Sequence, residues 1–277
     1  MHREGVDRRE FLRRFALFAG GTAALSALSA LLEGRPLPQM RQHVAQDDPR
    51  IVAEDIVYTG ETGEVKAHFA RPKGDGRWPG VVVIHENRGL VPHIKDVARR
   101  VAAEGYLAVA PDALSPVGGT PDDPQQAGPL FQKLDRPATV RNFVAAVQYL
   151  KTHPLSAGKV ACMGFCWGGG MTNQVAVASP DLAAAVPFYG AQAAVEDVPK
   201  IKAAMLIHYA GDDARINAGI PAFEEALKTA GIEYKIFMYE GAGHAFFNDS
   251  NAGRYNKEAA ELAWQRTLAF YKEKLKS

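Results

Sequence analysis

Three residue types that together make a nucleophilic catalyst occur in this sequence, each after a predicted strand. Cys166 is central in a G-x-C-x-G segment, residues 164–168, which follows the largely apolar run 159–163. A nucleophile elbow has this pattern, because flanking glycines remove the Cβ clashes of a strained strand-to-helix turn. The thiol would lie at the positive end of a helix, which favours a thiolate. Taken alone, the segment also fits a glycine-rich helix start with a buried cysteine.

An acid and a base follow Cys166 in the chain order that accompanies such elbows. Asp213 ends an apolar run, and His244 lies in a glycine-rich loop after another apolar run. A thiol with a reference pKa of about 8.5 needs a base at neutral pH. His244 can accept the thiol proton and later return it to a leaving group, while Asp213 would fix the imidazole tautomer.

The assignment of the acid leaves alternatives open, and a second histidine needs an interpretation of its own. Asp212 precedes Asp213 directly and is a rival for the acid, and either aspartate could instead cap a helix near Asn217. His208 lies inside a predicted strand, which favours a hydrogen-bonded histidine in the core or beside the site.

A fourth predicted strand supplies two further groups. Residues 81–84 are four consecutive β-branched aliphatics, which is typical of a central parallel strand covered on both faces. The loop after such a strand commonly supplies one oxyanion-hole N–H, and the residue after the nucleophile supplies the other. This nominates the backbone amides of Asn87 and Trp167.

Glu86 in the same loop would stand in the site itself. A carboxylate and a thiolate side by side are costly, so Glu86 and Cys166 should hold one proton between them. The alternative is that Glu86 forms an ion pair with Arg88 or Arg99 at the edge of the sheet.

Positioning these residues requires strands that end on one side of a sheet. Apolar strand patterns alternate with amphipathic helix patterns, which predicts a single α/β domain with a doubly wound, mostly parallel sheet and helices on both faces. Strands are predicted at 51–59, 64–70, 81–84, 106–110, 183–189, 204–209 and 233–239, besides the one before Cys166, and helices at 93–105, 136–153, 220–230 and 256–274. The first two strands should form an antiparallel hairpin. Residues 111–135 are rich in Pro, Gly and Asp, which predicts a loop or small lid over the site.

The sequence resembles the dienelactone hydrolases (carboxymethylenebutenolidases), cysteine-dependent members of the α/β-hydrolase fold. The resemblance covers roughly residues 50 to 275. Its matching segments are residues 85–90, 110–112, 164–169, 211–213, 244–246 and 263–270.

The resemblance implies a Cys166–Asp213–His244 triad and a functional glutamate at Glu86. In that family the resting thiol is neutral and hydrogen-bonded to the glutamate. Substrate binding displaces the glutamate, which then takes the thiol proton. The implied reaction is hydrolysis of small esters or lactones, with no cofactor and no metal.

The sequence departs from the family where the substrate is bound. The family's best-studied branch holds a substrate carboxylate with two arginines, one of them a few residues after the histidine. Here no arginine follows His244 before Arg254, so Arg88, Arg136 and Arg254 are the candidates for anion binding. Hydrolases on this fold change substrates by loop variation. A broad esterase is therefore as consistent with the sequence as a dienelactone hydrolase.

The N-terminus has the pattern of a targeting segment. Residues 7–13 resemble a twin-arginine motif, and the moderately apolar run 15–32 has the length of a signal h-region. We therefore expect a signal peptide and linker over 1–45, a catalytic domain over 46–277, and export to the periplasm by the twin-arginine machinery. An amphipathic N-terminal helix or a membrane anchor is the alternative.

Composition limits the classes of partner. The chain of 277 residues has a formal net charge of +1, which gives no nucleic-acid footprint. The cysteines, Cys162 and Cys166, are four residues apart on one strand and its turn, too far for a disulfide. We expect Cys162 in the core.

Two further functions on the same fold stay open. A non-catalytic periplasmic binding or stress protein would leave Cys166 unreactive towards iodoacetamide and esters untouched. A thiol redox sensor or peroxidase would form a sulfenic acid at Cys166 without needing His244.

Overall fold

The computed structural model describes residues 44–276, and within them one mixed sheet of eight strands in the order β1-β2-β4-β3-β5-β6-β7-β8. The strands are β1 (Ile51–Gly60), β2 (Gly63–Pro72), β3 (Trp78–Ile84), β4 (Leu107–Pro111), β5 (Ser156–Phe165), β6 (Ala184–Phe188), β7 (Ala204–Asp212) and β8 (Tyr234–Gly243). β1, β2 and β4 pair antiparallel, and every other neighbouring pair is parallel. The expected twin-arginine segment lies outside the described residues.

The chain reverses its winding direction beside β3. After β3 the chain continues to β4, its neighbour on one side. After β5, the neighbour of β3 on the other side, the chain continues to β6. The loops after β3 and β5 therefore lead in opposite directions along the sheet. In open α/β sheets such a switch point leaves a crevice at the carboxyl ends of the strands. Ile84 of β3 pairs with Gly164 of β5. Glu86 and Cys166 each come two residues after this pair, so they lie at the same level beyond the sheet.

Helices cover both faces of this sheet. They are α1 (Pro92–Ala103), α2 (Ala127–Phe131), α3 (Arg136–Thr152), α4 (Trp167–Ala178), α5 (Ala214–Asn217), α6 (Ile220–Thr229) and α7 (Lys257–Leu275). Val82 and Ile84 share a buried cluster with residues of α3, α4 and α6. Val81 and Val83 pack on the opposite face with residues of α1 and α7. This alternation on a fully buried strand confirms the predicted central strand and the doubly wound architecture.

The predicted strands and helices differ from the structure at their ends, and helical turns that were not predicted occur within residues 111–135 and at Val195–Lys200. The first predicted helix ends at Ala103 rather than at Gly105; Glu104 is its C-cap, and Gly105 follows with φ +90°. Residues 111–135 contain two short 3-10 turns and helix α2. Val44 is buried, and its N–H donates to Asp96 Oδ1 on α1 at 2.9 Å. Within residues 44–276, no helix combines the length and apolarity needed to cross a bilayer.

Candidate active site

Cys166 occupies the sharp turn between β5 and α4. Its φ is +56° and its ψ −115°, a left-handed conformation that a non-glycine residue adopts only under constraint. The constraint comes from close backbone contacts at the flanking glycines. A Cβ at Gly164 would lie 2.2 Å from the Gly168 carbonyl oxygen, and a Cβ at Gly168 would lie 2.4 Å from the His85 carbonyl oxygen. Glycine is therefore required at positions 164 and 168, because neither position has room for a side chain.

His244 links the thiol to an aspartate. Its Nε2 lies 3.0 Å from Cys166 Sγ, and its Nδ1 lies 2.5 Å from Asp213 Oδ2. Because a carboxylate can only accept, Nδ1 carries the hydrogen and Nε2 is left as an acceptor facing the thiol. The sheet register explains the meeting: Asp212 of β7 pairs with Gly243 of β8, so Asp213 and His244 both follow that rung.

Asp213 makes both kinds of contact that its place in the sequence allows, one to His244 and one to a helix N-terminus. While Oδ2 meets His244, Oδ1 accepts the Ile216 N–H at 3.4 Å as the N-cap of α5. The rival Asp212 is exposed. A side chain fixed by its own helix cap holds the imidazole in one orientation.

The Glu86 carboxylate is buried, with 8% of the residue exposed, and both its oxygens meet neutral donors. Asn248 Nδ2 donates to Oε2 at 2.6 Å, and the Tyr189 hydroxyl lies 3.5 Å from Oε1. The alternative ion pairs do not form in the described chain: Arg88 donates to the Pro124 carbonyl oxygen, and Arg99 to the Val44 carbonyl oxygen.

Burial and charge together keep the Cys166 thiol protonated. Burial raises its pKa most, and the charge of Glu86 raises it further. A hydrogen bond from the Trp167 backbone and the charges of Arg215 and Arg254 act in the opposite direction, and the resulting pKa is about 11. At neutral pH the group is therefore a thiol, so its reaction as a nucleophile requires removal of the proton.

Tyr189 completes the wall beside the thiol and was not identified from the sequence. It follows β6, is fully buried and has φ +37°. Its ring centroid lies 5.1 Å from that of His244. Burial, and then the neighbouring charges of Glu86 and Cys166, raise the pKa of Tyr189 well above its usual value, so it stays a phenol that can donate.

Helix α2 of the 111–135 segment contacts Trp167, the residue after Cys166. The ring of Phe131 in α2 lies 4.8 Å from the Trp167 ring, which in turn stacks on His85 at 5.6 Å. His85 Nδ1 donates to the Glu86 carbonyl oxygen at 2.7 Å, and its Nε2 accepts the Ala113 N–H at 3.1 Å. Burial lowers the pKa of His85, which keeps the imidazole neutral for both contacts. These contacts tie the loop that carries Glu86 to the 111–135 segment.

The three candidate arginines occupy different places. Arg254 lines a cavity of about 440 Å³ together with His244 and acts on the thiol by charge. Arg88 is held at Pro124, and Arg136 is the exposed first residue of α3. Arg215 also acts on the thiol, and only its closeness to Asp213 marks it in the sequence.

The two candidate oxyanion-hole residues follow β3 and Cys166. Asn87 follows β3 and is exposed, and Trp167 is the first residue of α4, directly after the nucleophile candidate. Cys162 is fully buried within β5, with its sulfur 3.7 Å from Thr172 Oγ1, and burial raises its pKa to about 12. Cys162 is thus the core residue that was expected.

Comparison with known proteins gives concordant matches. Residues 65–275 match the model of the Dienelactone hydrolase family. A protein of Saccharolobus solfataricus, whose name includes carboxymethylenebutenolidase, is 32% identical over 255 residues, which cover 78% of this chain and 97% of the relative.

Two solved structures resemble the chain over most of its length. A Klebsiella pneumoniae structure whose name includes dienelactone hydrolase has a TM-score of 0.72 and 31% identity, covering 80% of this chain and 98% of that one. A dienelactone hydrolase-like promiscuous phosphotriesterase from metagenomic libraries has a TM-score of 0.74 and 25% identity, covering 81% and 99%.

The sheet order, the helices on both faces and these neighbours define a hydrolase with the α/β-hydrolase fold. The family match over residues 65–275 and the relatives above 30% identity make the assignment narrower. The chain belongs to the dienelactone hydrolase family and is an ester or lactone hydrolase.

Proposed function

We propose that the protein hydrolyses small esters or lactones with Cys166 as its nucleophile, His244 as the base and acid, and Asp213 as the residue that orients the imidazole. The observation that carries the proposal is the hydrogen-bonded chain from Sγ to Nε2 at 3.0 Å and from Nδ1 to the carboxylate at 2.5 Å. A nucleophile in contact with a base that is itself oriented by a third group is the arrangement of covalent catalysis.

Acylation begins with transfer of the Cys166 proton to His244 Nε2. The sulfur forms a bond to the substrate carbonyl carbon, and the backbone N–H groups of Trp167 and Asn87 hold the developing oxyanion. Collapse of this intermediate breaks the ester C–O bond, and the imidazolium returns its proton to the leaving oxygen. In a lactone the leaving alcohol stays attached to the acyl chain.

Deacylation uses the same groups in the same order. The neutral imidazole of His244 takes a proton from water, and the oxygen attacks the thioester carbonyl of acylated Cys166. When the C–S bond breaks, the sulfur leaves with the electron pair and recovers a proton from the imidazolium. The acid product departs, and the thiol and the neutral imidazole are restored.

Glu86 is assigned the role of a substrate-gated group. Its charge raises the pKa of Cys166 in the free enzyme, which favours a protonated, unreactive thiol. A carbonyl group that binds against the sulfur would displace the carboxylate, and Glu86 then offers a second acceptor for the thiol proton besides His244. A neutral resting thiol would also suit an exported protein, because the thiolate is the form that oxidants attack.

Arg254 is the candidate arginine that we favour for an anionic substrate group, since it borders the cavity that His244 also lines. Arg88 and Arg136 are less suited, one being held at Pro124 and the other heading an exposed helix turn. The names of the two similar solved structures add a dienelactone and a phosphotriester to the esters that are worth assaying.

The test replaces each thiol separately. Cys166→Ala is assayed on p-nitrophenyl acetate, a dienelactone and a p-nitrophenyl phosphotriester, with Cys162→Ala as the matched control. We expect the first variant to lose at least about 10³-fold in kcat/KM and the second to retain activity, because removal of a nucleophile that acts in a triad costs a factor of this order or more. Wild-type activity of Cys166→Ala on any of these substrates would show that the thiol is not the nucleophile for that reaction.

The redox alternative is tested on the same variants. A sensor or peroxidase would form sulfenic acid at Cys166 quickly and equally in His244→Ala. The raised pKa of Cys166 favours the hydrolase, because a half-buried thiol that is protonated at neutral pH reacts slowly with peroxide.

We also propose that the twin-arginine machinery exports the chain, on the basis of residues 7–13 and the apolar run that follows. The full-length chain with both Arg8 and Arg9 replaced by Lys should remain in the cytoplasm of a host that possesses this route. The unaltered chain should appear in the periplasmic fraction. Equal distribution of the two would contradict the proposal.

A further inference from the structure

A single side-chain amide holds the Glu86 carboxylate from the far end of the chain. Asn248 Nδ2 donates to Glu86 Oε2 at 2.6 Å, and both residues are buried, at 9% and 8% exposure. The contact joins the loop after β3 to the His244 loop, defined here as residues 244–256. An amide donor carries no charge, so this bond orients the carboxylate without neutralising it.

The direction of that amide is fixed from within the His244 loop. Asn248 Oδ1 accepts two hydrogen bonds from Ser250, one from its backbone N–H at 3.1 Å and one from its hydroxyl at 2.5 Å. With the oxygen held by two donors, only the NH₂ group can face Glu86. If the amide turned over, two acceptors would face each other at the Glu86 end.

The residue between these two anchors the loop to helix α1. Asp249 meets His93 Nδ1 at 3.1 Å and Arg100 at 2.7 Å. Burial alone would raise the pKa of Asp249, but the hydrogen bond from His93 and the charge of Arg100 outweigh it and lower the pKa strongly. The anchor therefore stays ionised at every pH at which the enzyme would be assayed.

Several charged or titratable groups face the thiol whose proton Glu86 influences. His244 contacts Sγ directly, and Tyr189 lies between the imidazole and Glu86. Arg215 on α5 and Arg254 in the His244 loop lower the Cys166 pKa, and Glu86 raises it. Both arginines are exposed, so solvent screens their effect, whereas the buried Glu86 acts through a less polar medium. The position of this carboxylate therefore matters most among the charges.

We propose that Asn248 is a positioning residue that holds Glu86 beside Cys166, and that Ser250 fixes the direction in which the Asn248 amide donates. This assignment rests on the proposed function only through the role of Glu86 at the thiol. Its chemistry is positional, with no bond formed or broken at Asn248.

The main test measures the thiol and turnover separately. The rate of Cys166 alkylation by iodoacetamide is followed against pH in Cys162→Ala protein, alone and with Asn248→Ala, Glu86→Gln or both. We expect Cys166 in the Asn248→Ala variant to be alkylated about 3- to 10-fold faster at pH 8. A Glu86 carboxylate that is no longer held near the sulfur raises the pKa of the Cys166 thiol less. On the Glu86→Gln background the same substitution should change nothing. In ester hydrolysis, kcat should fall while KM stays close to that of the parent.

A second set of variants acts through Ser250 and leaves Asn248 in place. Ser250→Ala should shift alkylation in the same direction by a smaller factor, about 2- to 3-fold, since the backbone N–H still holds Oδ1. Ser250→Thr keeps the hydroxyl donor and should restore the parental profile. Asn251→Ala, at an exposed position in the same loop, is the matched control and should leave the profile unchanged.

The Glu86→Gln and Asn248→Ala variants together distinguish a failure of this inference from a failure of the proposed role of Glu86. If Glu86→Gln alters alkylation or turnover but Asn248→Ala and Ser250→Ala behave like Asn251→Ala, the positioning role is wrong and the role of Glu86 stands. If Glu86→Gln itself matches the parent in both measurements, Glu86 has no role at the thiol and both proposals about it fall. An Asn248→Ala defect confined to KM would make Asn248 a substrate-binding residue instead.

Discussion

The α-carbon of Gly168 lies so close to the loop that carries Glu86 that a Cβ there would come within 2.4 Å of the His85 carbonyl oxygen. The contact joins the first turn of α4, which follows the nucleophile candidate, to the loop after β3. The depth of this packing explains how a cysteine at φ +56° can be held on the turn, because the backbone on both sides has no room to relax.

Replacement of Gly168 by Ala should therefore damage both fold and activity. The added methyl group must push apart two backbone segments, at a cost of about 2–4 kcal/mol in the free energy of unfolding. Gly170→Ala is the matched control, because a Cβ there would meet Ala191 at no less than 3.5 Å. The control should be neutral or stabilising by up to about 1 kcal/mol, since alanine is the better helix former. Urea unfolding of the two variants checks this, and equal stabilities would contradict the close approach.

Asp213 should matter for catalysis far more than for stability. Asp213→Asn keeps a side chain that can cap α5 but offers the imidazole an amide that can turn its NH₂ towards Nδ1, so the tautomer is no longer fixed. We expect kcat/KM to fall by about 10³- to 10⁴-fold with little change in the unfolding midpoint. Asp212→Asn changes the exposed neighbour and should retain activity. If kcat/KM fell more in Asp212→Asn than in Asp213→Asn, Asp212 rather than Asp213 would be the aspartate that orients His244.

Arg254 should tune the thiol from the rim of the site. Removal of its charge in Arg254→Gln should raise the pKa of Cys166, because this guanidinium is one of the groups that lower it. At pH 8 alkylation should slow by about two- to threefold at low ionic strength, and the difference should shrink in 0.5 M salt because the residue is exposed. Arg136→Gln serves as the control, and a matching effect there would remove Arg254 from its assigned position near the thiol.

Much of this site could be predicted because its residues follow strands. The register of a strand pair determines where the residues just beyond the strand ends lie. Asp212 pairs with Gly243, which brings Asp213 close to His244. Ile84 pairs with Gly164, which brings Glu86 to the edge of the sheet where Cys166 lies. The glycine spacing around Cys166 was equally readable, because it records a steric demand of the turn.

The residues that the sequence did not reveal depend on how loops close. Asn248 and Ser250 have no pattern that marks them, since their contacts arise only once the His244 loop folds back onto α1 and the loop after β3. Arg215 on α5 is equally unmarked, because it acts on the thiol only by charge. The sequence signalled this region only by the lack of an arginine soon after His244. Tyr189 likewise falls inside the predicted strand 183–189, because nothing in the neighbouring sequence marks the positive φ that it adopts.

His208 should make the protein less stable in acid, although it takes no part in the site. It is fully buried between the Tyr239 hydroxyl at 2.9 Å and Thr267 Oγ1 at 3.1 Å. Burial, helped by the charge of Arg266, lowers its pKa from 6.5 to about 3. Below pH 6.5, His208 binds a proton in the unfolded chain but stays neutral in the folded chain. The contribution of His208 to the free energy of unfolding is therefore fully present above pH 6.5 and is lost as pH falls towards 3.

The loss should approach about 1.4 kcal/mol per pH unit from this one group. His208→Gln removes the titration, and although it is less stable at pH 7.5 because a buried hydrogen-bonding partner changes, its unfolding free energy should decline less steeply between pH 6.5 and 5. Urea unfolding at half-unit intervals measures both slopes. Parallel slopes for the two proteins would mean that His208 is protonated as readily in the folded state as in the unfolded one, contrary to its burial between two neutral hydroxyls.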